Sequence, residues 1–173
     1  MKVSVILPTY QRENLLCQTI KDLLRQDYTD FELLVLDQSP THEVETKRFL
    51  DSVASHIRYI HFEKPGVVAA CNEGVRNASG EILLFIDDDI SIPDNKLLER
   101  HVRNYEDPLI GGVAGKILDA ANPVERELFG LTKRVFRQTR GVGASRPLMS
   151  ATHTLLGETP RLRRARGGTP SLR

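Results

Sequence analysis

The sequence predicts an α/β fold, a mostly parallel sheet with helices on both faces. Two observations predict it. Short apolar runs alternate along the chain with longer amphipathic stretches, which is the pattern of strand–helix–strand units. Polar, turn-forming residues then follow directly on the apolar runs, at Pro8-Thr9-Tyr10, Asp37-Gln38-Ser39 and Asp87-Asp88-Asp89. In open parallel sheets ligands bind beyond the carboxyl ends of the strands, so these three segments are expected along one edge. A length of 173 residues suffices for one domain with a hydrophobic core.

The elements follow in order. Val3, Val5, Ile6 and Leu7 predict a buried strand ending at Pro8. Leu15, Leu16, Ile20, Leu23 and Leu24 recur at helical spacing, predicting an amphipathic helix that fades near Gln26. Phe31–Leu36 is a second strand, closed by Asp37 and the turn-forming Gln38-Ser39-Pro40. A polar helix from about His42 to Ser55 is expected to turn Val44, Phe49, Leu50 and Val53 inward. Ile57–Phe62 reads as a third strand, and Pro65-Gly66 opens a helix running to Asn77. Ser79-Gly80 breaks that helix before a fourth strand, Glu81–Ile86. A helix over Asp94–Tyr105 and a Gly-rich strand over Leu109–Ile117 complete the regular part.

Charge divides the chain. Residues 1–132 carry 14 basic against 22 acidic side chains, whereas residues 133–173 carry 10 against 1, Glu158. These are two differently composed pieces. Cys17 and Cys71 lack metal-ligand spacing and read as reduced thiols. No apolar run approaches the roughly 18 residues of a membrane helix, and Pro8 interrupts any signal-peptide core. A cytoplasmic location is therefore expected, with peripheral contact at the inner face of a membrane left open.

Three consecutive carboxylates after the strand Ile82–Ile86 are the strongest chemical signal. In an extended segment alternate residues point the same way, so Asp87 and Asp89 are expected to address one ligand while Asp88 faces elsewhere. A divalent cation compensates such like charges, and hard oxygen donors suit Mg²⁺ or Mn²⁺ completed by water and substrate phosphates. The competing reading is an acidic turn that caps the next helix. Asp37 ends the second strand, where a carboxylate can accept hydrogen bonds from a base or ribose, or simply form a turn. A dinucleotide site is excluded, because no G-x-G-x-x-G follows the first strand; no P-loop is present either.

At these residues the chain resembles the family 2 inverting glycosyltransferases of the GT-A fold, a Rossmann-like nucleotide-diphospho-sugar transferase fold. Val3-Ser4-Val5-Ile6-Leu7-Pro8-Thr9-Tyr10-Gln11-Arg12 resembles that family's opening strand and loop. Phe31–Asp37, Ala70-Cys71-Asn72-Glu73-Gly74 and Gly80–Asp89, which carries the DXD motif, match its later segments in order. The resemblance covers about residues 1–120. It implies a nucleoside-diphosphate-sugar site, with Pro8, Thr9 and Tyr10 lining the base and ribose pocket and Asp37 contacting the base. It places Asp87, with its neighbour Asp88, near the ribose or sugar, and gives Asp89 the metal bridging the diphosphate. Arg12 and Lys64 are candidate phosphate contacts. Cys71 stands where the family usually has Arg, and Gln38-Ser39-Pro40 replaces its common acidic turn.

The larger departure lies toward the C-terminus. Inverting transfer needs a general base near the acceptor hydroxyl, which the family supplies well after the DXD segment. Here only Glu158 follows Glu127, leaving that base unassigned. The expected organisation is an incomplete donor-binding domain over 1–140 and a disordered or non-native tail over 141–173, read as a truncated or frame-shifted sequence. A basic binding segment around Arg161–Arg166 is the other reading of the tail, although no nucleic-acid partner is expected. The function so implied is sugar transfer to an unknown glycan, lipid or small-molecule acceptor. The alternatives are a non-catalytic nucleotide-sugar-binding module completed by a partner chain, and a nucleotidyltransferase.

Overall fold

Strand β1 (Val3–Thr9) is buried along its whole length, because it lies between two parallel neighbours. A computed structural model describes residues 1–63 and 65–115, together with the backbone of 135–137 and 148–151. The elements run β1, α1 (Glu13–Leu24), β2 (Phe31–Asp37), α2 (Val44–Val53), β3 (Arg58–His61), α3 (Val67–Asn77), β4 (Ile82–Phe85), α4 (Leu97–Val102) and a 3-10 turn (Arg103–Glu106). Then come β5 (Ile110–Val113), β6 (Val135–Arg137) and β7 (Leu148–Ala151). The main sheet has the order β3-β2-β1-β4-β7, and all its pairings are parallel. The expected fold class is therefore found.

Alternation along the strands divides the core in two. Val3, Val5, Leu7, Leu33, Val35, Ile82 and Leu84 pack with Leu16, Ile20 and Leu23 of α1 on one face. Ile6, Leu34, Leu36 and Leu83 meet Ala70 of α3 on the other. At about 25 cal/mol per Å² of apolar surface removed from water, these two layers dominate the stability. Proline inside a central strand is unusual, yet Pro8 removes no ladder bond here. Ile86 N donates to Ile6 O at 3.0 Å, and by the two-residue period Pro8 turns the same way, where β4 has already ended.

Several element boundaries differ from expectation. The helix expected from Asp94 starts only at Leu97, because Asp94 Oδ1 accepts Lys96 N at 2.8 Å and forms a turn first. Leu15 and Val44, expected inside, are exposed; the inner face of α1 is instead Leu16, Thr19, Ile20, Asp22 and Leu23. The expected Leu109–Ile117 strand is confined to Ile110–Val113, paired antiparallel with β6 in a separate ladder; Ile117 lies outside the described residues. Four residues of the segment expected to lack structure, Leu148–Ala151, run beside β4 as an edge strand. The boundary at 140 and the segment from residue 152 onward fall outside the described residues.

Gly80 marks the closest approach of backbone to backbone. A Cβ there would lie 2.6 Å from Ser4 N and 2.8 Å from Lys2 O, and neither can rotate away. Gly80→Ala is therefore expected to destabilise the fold by about 1–3 kcal/mol, the usual cost of overpacking. Urea denaturation measures it, and an unchanged midpoint would refute the close approach.

Candidate functional site

The carboxyl ends of β1, β2 and β4 converge on one edge, as expected. Thr9 Oγ1 donates to Asp88 Oδ2 at 2.6 Å in a buried contact. Arg12 Nη1 lies 3.1 Å from Asp88 Oδ1 and 2.5 Å from Asp89 Oδ2, so one guanidinium bridges two carboxylates. Between Thr9 and Arg12 the chain turns through Gln11, whose φ of 55° is left-handed and costs a non-glycine residue strain. Gln11 N donates to Ser39 Oγ at 2.8 Å, which ties this turn to the end of β2. Burial pushes the Asp88 carboxyl up, and the hydrogen bond from Thr9 and the charge of Arg12 offset only part of that. The Asp88 and Asp89 charges in turn raise Arg12, so it stays a cation.

The aspartate segment is held from below by a polar stripe on α1. Thr19 Oγ1 donates to Asp88 O at 3.0 Å and to Ile90 O at 3.1 Å. Asp22, buried, accepts Ile92 N at 3.1 Å. Gln26 Nε2 donates to Asp94 O at 2.9 Å while its Oε1 accepts Leu98 N at 3.3 Å. These three positions were absent from the expected site, because polar residues within a helix read as its solvent face. Their spacing of three and four residues, in line with the buried Leu16 and Leu23, is the only signal that could have found them.

Asp37 has no exposed surface. Its Oδ1 accepts Ser39 N at 2.7 Å, and its Oδ2 accepts Tyr59 OH at 2.6 Å and a short contact from His42 Nε2. His42 Nδ1 reaches Glu13 Oε1 at 3.0 Å. With an acceptor carboxylate on each nitrogen the imidazole must donate twice, which requires its protonated form. Burial lowers His42, but Glu13 and Asp37 outweigh it and the net shift is upward from 6.5. Burial likewise raises Asp37, and the bonds from Tyr59, Ser39 and His42 bring it below the usual carboxylate range.

A cavity of about 560 Å³ opens on this edge, lined by Pro8, Thr9, Tyr10, Arg12, Gln38, Gly66, Val67, Asp87, Asp88 and Asp89. Seven of the expected site residues, Asp89 among them, thus border one cavity. Asp37 sits behind the wall, and Lys64 lies outside the described residues. The expectation that Asp88 faces away from Asp87 and Asp89 is corrected. β4 ends at Phe85 and Asp88-Asp89 form a turn rather than extended chain, so all three border the cavity. Gln38, expected on this edge but given no role there, has its Nε2 3.4 Å from Gly66 O and its Oε1 3.3 Å from Gly66 N, clamping the start of α3.

Among the described residues no three His, Cys, Asp or Glu side chains form a ready cage for a metal. A Mg²⁺ or Mn²⁺ held mainly by phosphates and water needs only one or two carboxylates, and Asp87 and Asp89 border the cavity where they could hold one. The donor set fits. The guanidinium on Asp88 and Asp89 shows that this wall already accommodates a cation.

A parallel α/β sheet with a cavity beyond the carboxyl ends of its strands has the ligand-site placement of the open, doubly wound α/β class. The chain matches the description "Glycosyl transferase family 2" over residues 4–151, and it belongs to that family of enzymes. It is 30% identical over 132 residues to the GalNAc(5)-diNAcBac-PP-undecaprenol beta-1,3-glucosyltransferase of Campylobacter jejuni, covering 75% of this chain and 37% of that protein. In structure it resembles the mannosyltransferase PcManGT of Pyrobaculum calidifontis, solved with GDP-Man and Mn²⁺, with a TM-score of 0.61 and 25% identity over 70% of this chain and 36% of that one. It also resembles S. aureus TarS 1-349 in complex with UDP-GlcNAc, with a TM-score of 0.55 and 25% identity over 69% and 37% of the two chains. The chain thus spans little more than a third of these proteins. The GT-A fold expected from the sequence is the one found.

Two outcomes test the geometry. Stability from protonated His42 is complete below its ordinary value of 6.5 and is lost as pH rises through its raised folded value. The stability difference between the protein and His42→Gln should therefore shrink as pH rises above 6.5 in urea titrations; a difference that grows would contradict the doubly bonded imidazolium. Thr19→Val keeps the shape but strips Asp88 O and Ile90 O of a donor. A loss of about 1–3 kcal/mol is expected by thermal unfolding, the cost of leaving buried acceptors unsatisfied; a neutral effect would mean the contact is dispensable.

Proposed function

We propose that this chain binds the donor of a sugar-transfer reaction, a nucleoside-diphosphate sugar, together with Mg²⁺ or Mn²⁺. The observation that carries this reading is the cavity in which the Pro8-Thr9-Tyr10 wall and the three aspartates border the same space. Tyr10, Pro8 and Thr9 take the base and ribose. Asp37 acts behind them by fixing Ser39; direct contact with a base would require His42 and Tyr59 to release its Oδ2. Asp87 serves the ribose or sugar, Asp89 the cation, and Arg12 and Lys64 the phosphates. When bound, the cation neutralises charge growing on the leaving diphosphate.

The acceptor site and the general base that activates the acceptor are assigned to residues beyond 115 or to a further polypeptide. A lipid-linked acceptor is supported by the name of the Campylobacter relative. Action at the inner face of a membrane would suit it; no helix among the described residues is long and apolar enough to cross one. The nucleotidyltransferase alternative has no feature in its favour, since the loop after β1 holds no glycine-rich phosphate cradle.

Calorimetric titration of the full chain with UDP, GDP and dTDP, with and without Mn²⁺, tests the proposal. One nucleotide should bind in a metal-dependent way, and Asp89→Ala should weaken it at least tenfold, about 1.4 kcal/mol. Binding that ignores both the metal and Asp89→Ala would sink the reading.

A further inference from the structure

The Arg12 guanidinium occupies the carboxylates that a divalent cation would approach. Its Nη1 touches Asp89 Oδ2 at 2.5 Å and Asp88 Oδ1 at 3.1 Å. The contact is built, not incidental. Asp88 is anchored from its other oxygen by Thr9 and through its carbonyl by Thr19, so it cannot turn away from Arg12. Arg12 is delivered by the left-handed Gln11, held in turn by Ser39. The arginine side chain itself is about half exposed, at 48%, so it can leave without unpacking the core.

We propose that Arg12 is an internal counter-ion for Asp88 and Asp89, which the divalent cation must displace and which the nucleotide's diphosphate then accepts. This rests on the donor-site reading above. Without nucleotide the cation competes with a tethered charge and gains little. With a diphosphate present, the displaced guanidinium finds a new anion at the same wall, so metal and nucleotide assist each other. Such coupling is reciprocal and commonly amounts to about 5–150-fold in affinity. The arrangement also reduces the repulsion between Asp88 and Asp89 before the ligand arrives.

The test is Mn²⁺ binding to the full chain, followed by electron paramagnetic resonance of free Mn²⁺, with and without the diphosphate that calorimetry selects. In Arg12→Gln, Mn²⁺ alone should bind at least about fivefold more tightly, while the enhancement by nucleotide should shrink by about the same factor, leaving the part that direct phosphate coordination supplies. Arg12→Lys, which keeps the charge, should restore part of the coupling. Unchanged or weaker Mn²⁺ binding in Arg12→Gln would overturn the proposal. So would tightening by the same factor with and without nucleotide, because Arg12 would then act only as a nearby charge. If the unaltered chain shows no metal-dependent nucleotide binding, the donor-site reading itself fails; normal binding with an unchanged Arg12→Gln coupling removes only the counter-ion role.

Discussion

β1 pairs with β2 and β4 at once, and the two registers together decide where the chemistry can be. Thr9 lies opposite Asp37 across one ladder. Across the other, Ile6 lies opposite Phe85, so continuing the register three residues brings Asp88 level with Thr9. The 2.6 Å bond between Thr9 and Asp88 is the result. A one-residue slip of either strand would exchange the residues that fill its two core layers and break this alignment together. The apolar alternation that buries Val3, Val5 and Leu7 on one face and Ile6 on the other thus also sets the geometry of the site.

That edge is secured by two separate clusters, one for each neighbouring strand. On the β4 side Thr19, Asp22 and Gln26 accept or donate backbone hydrogen bonds along residues 88–98. On the β2 side His42, Tyr59 and Glu13 enclose Asp37. Both clusters sit behind the cavity and hold segments that border it. Loops that carry function are otherwise the mobile parts of a fold; here buried side chains do for them what a ladder does for a strand. The Gln38 clamp on Gly66 extends the same principle to the start of α3.

Much of this was legible in the sequence where a single local pattern carried the meaning. The strands were readable from apolar runs, and the aspartates from their position directly after one of them. What was not legible needed partners distant in sequence. His42 reads as a helix-start residue until Asp37 and Glu13 are brought to it. Leu15 and Val44 carry the right hydrophobicity for a core, yet the stripe that faces inward on α1 is shifted by the polar contacts of Thr19 and Asp22. The orientation of Asp88 was misjudged for a similar reason: alternation holds only while the chain stays extended, and β4 stops at Phe85.

The electrostatics explain why such an arrangement persists despite its cost. A carboxylate as buried as Asp88 is disfavoured in its charged form, and a left-handed Gln11 adds strain of roughly 1–3 kcal/mol. Neither contributes to holding the sheet together. Both are concentrated within a few residues at the cavity wall, where Arg12 bridges two carboxylates at once. Local rules of packing and charge are broken most often where a protein must meet a ligand. The left-handed Gln11 and the buried Asp88 both lie at that edge, while the sheet faces are filled by apolar layers. The stability of those layers is what allows three like charges to wait side by side for a partner.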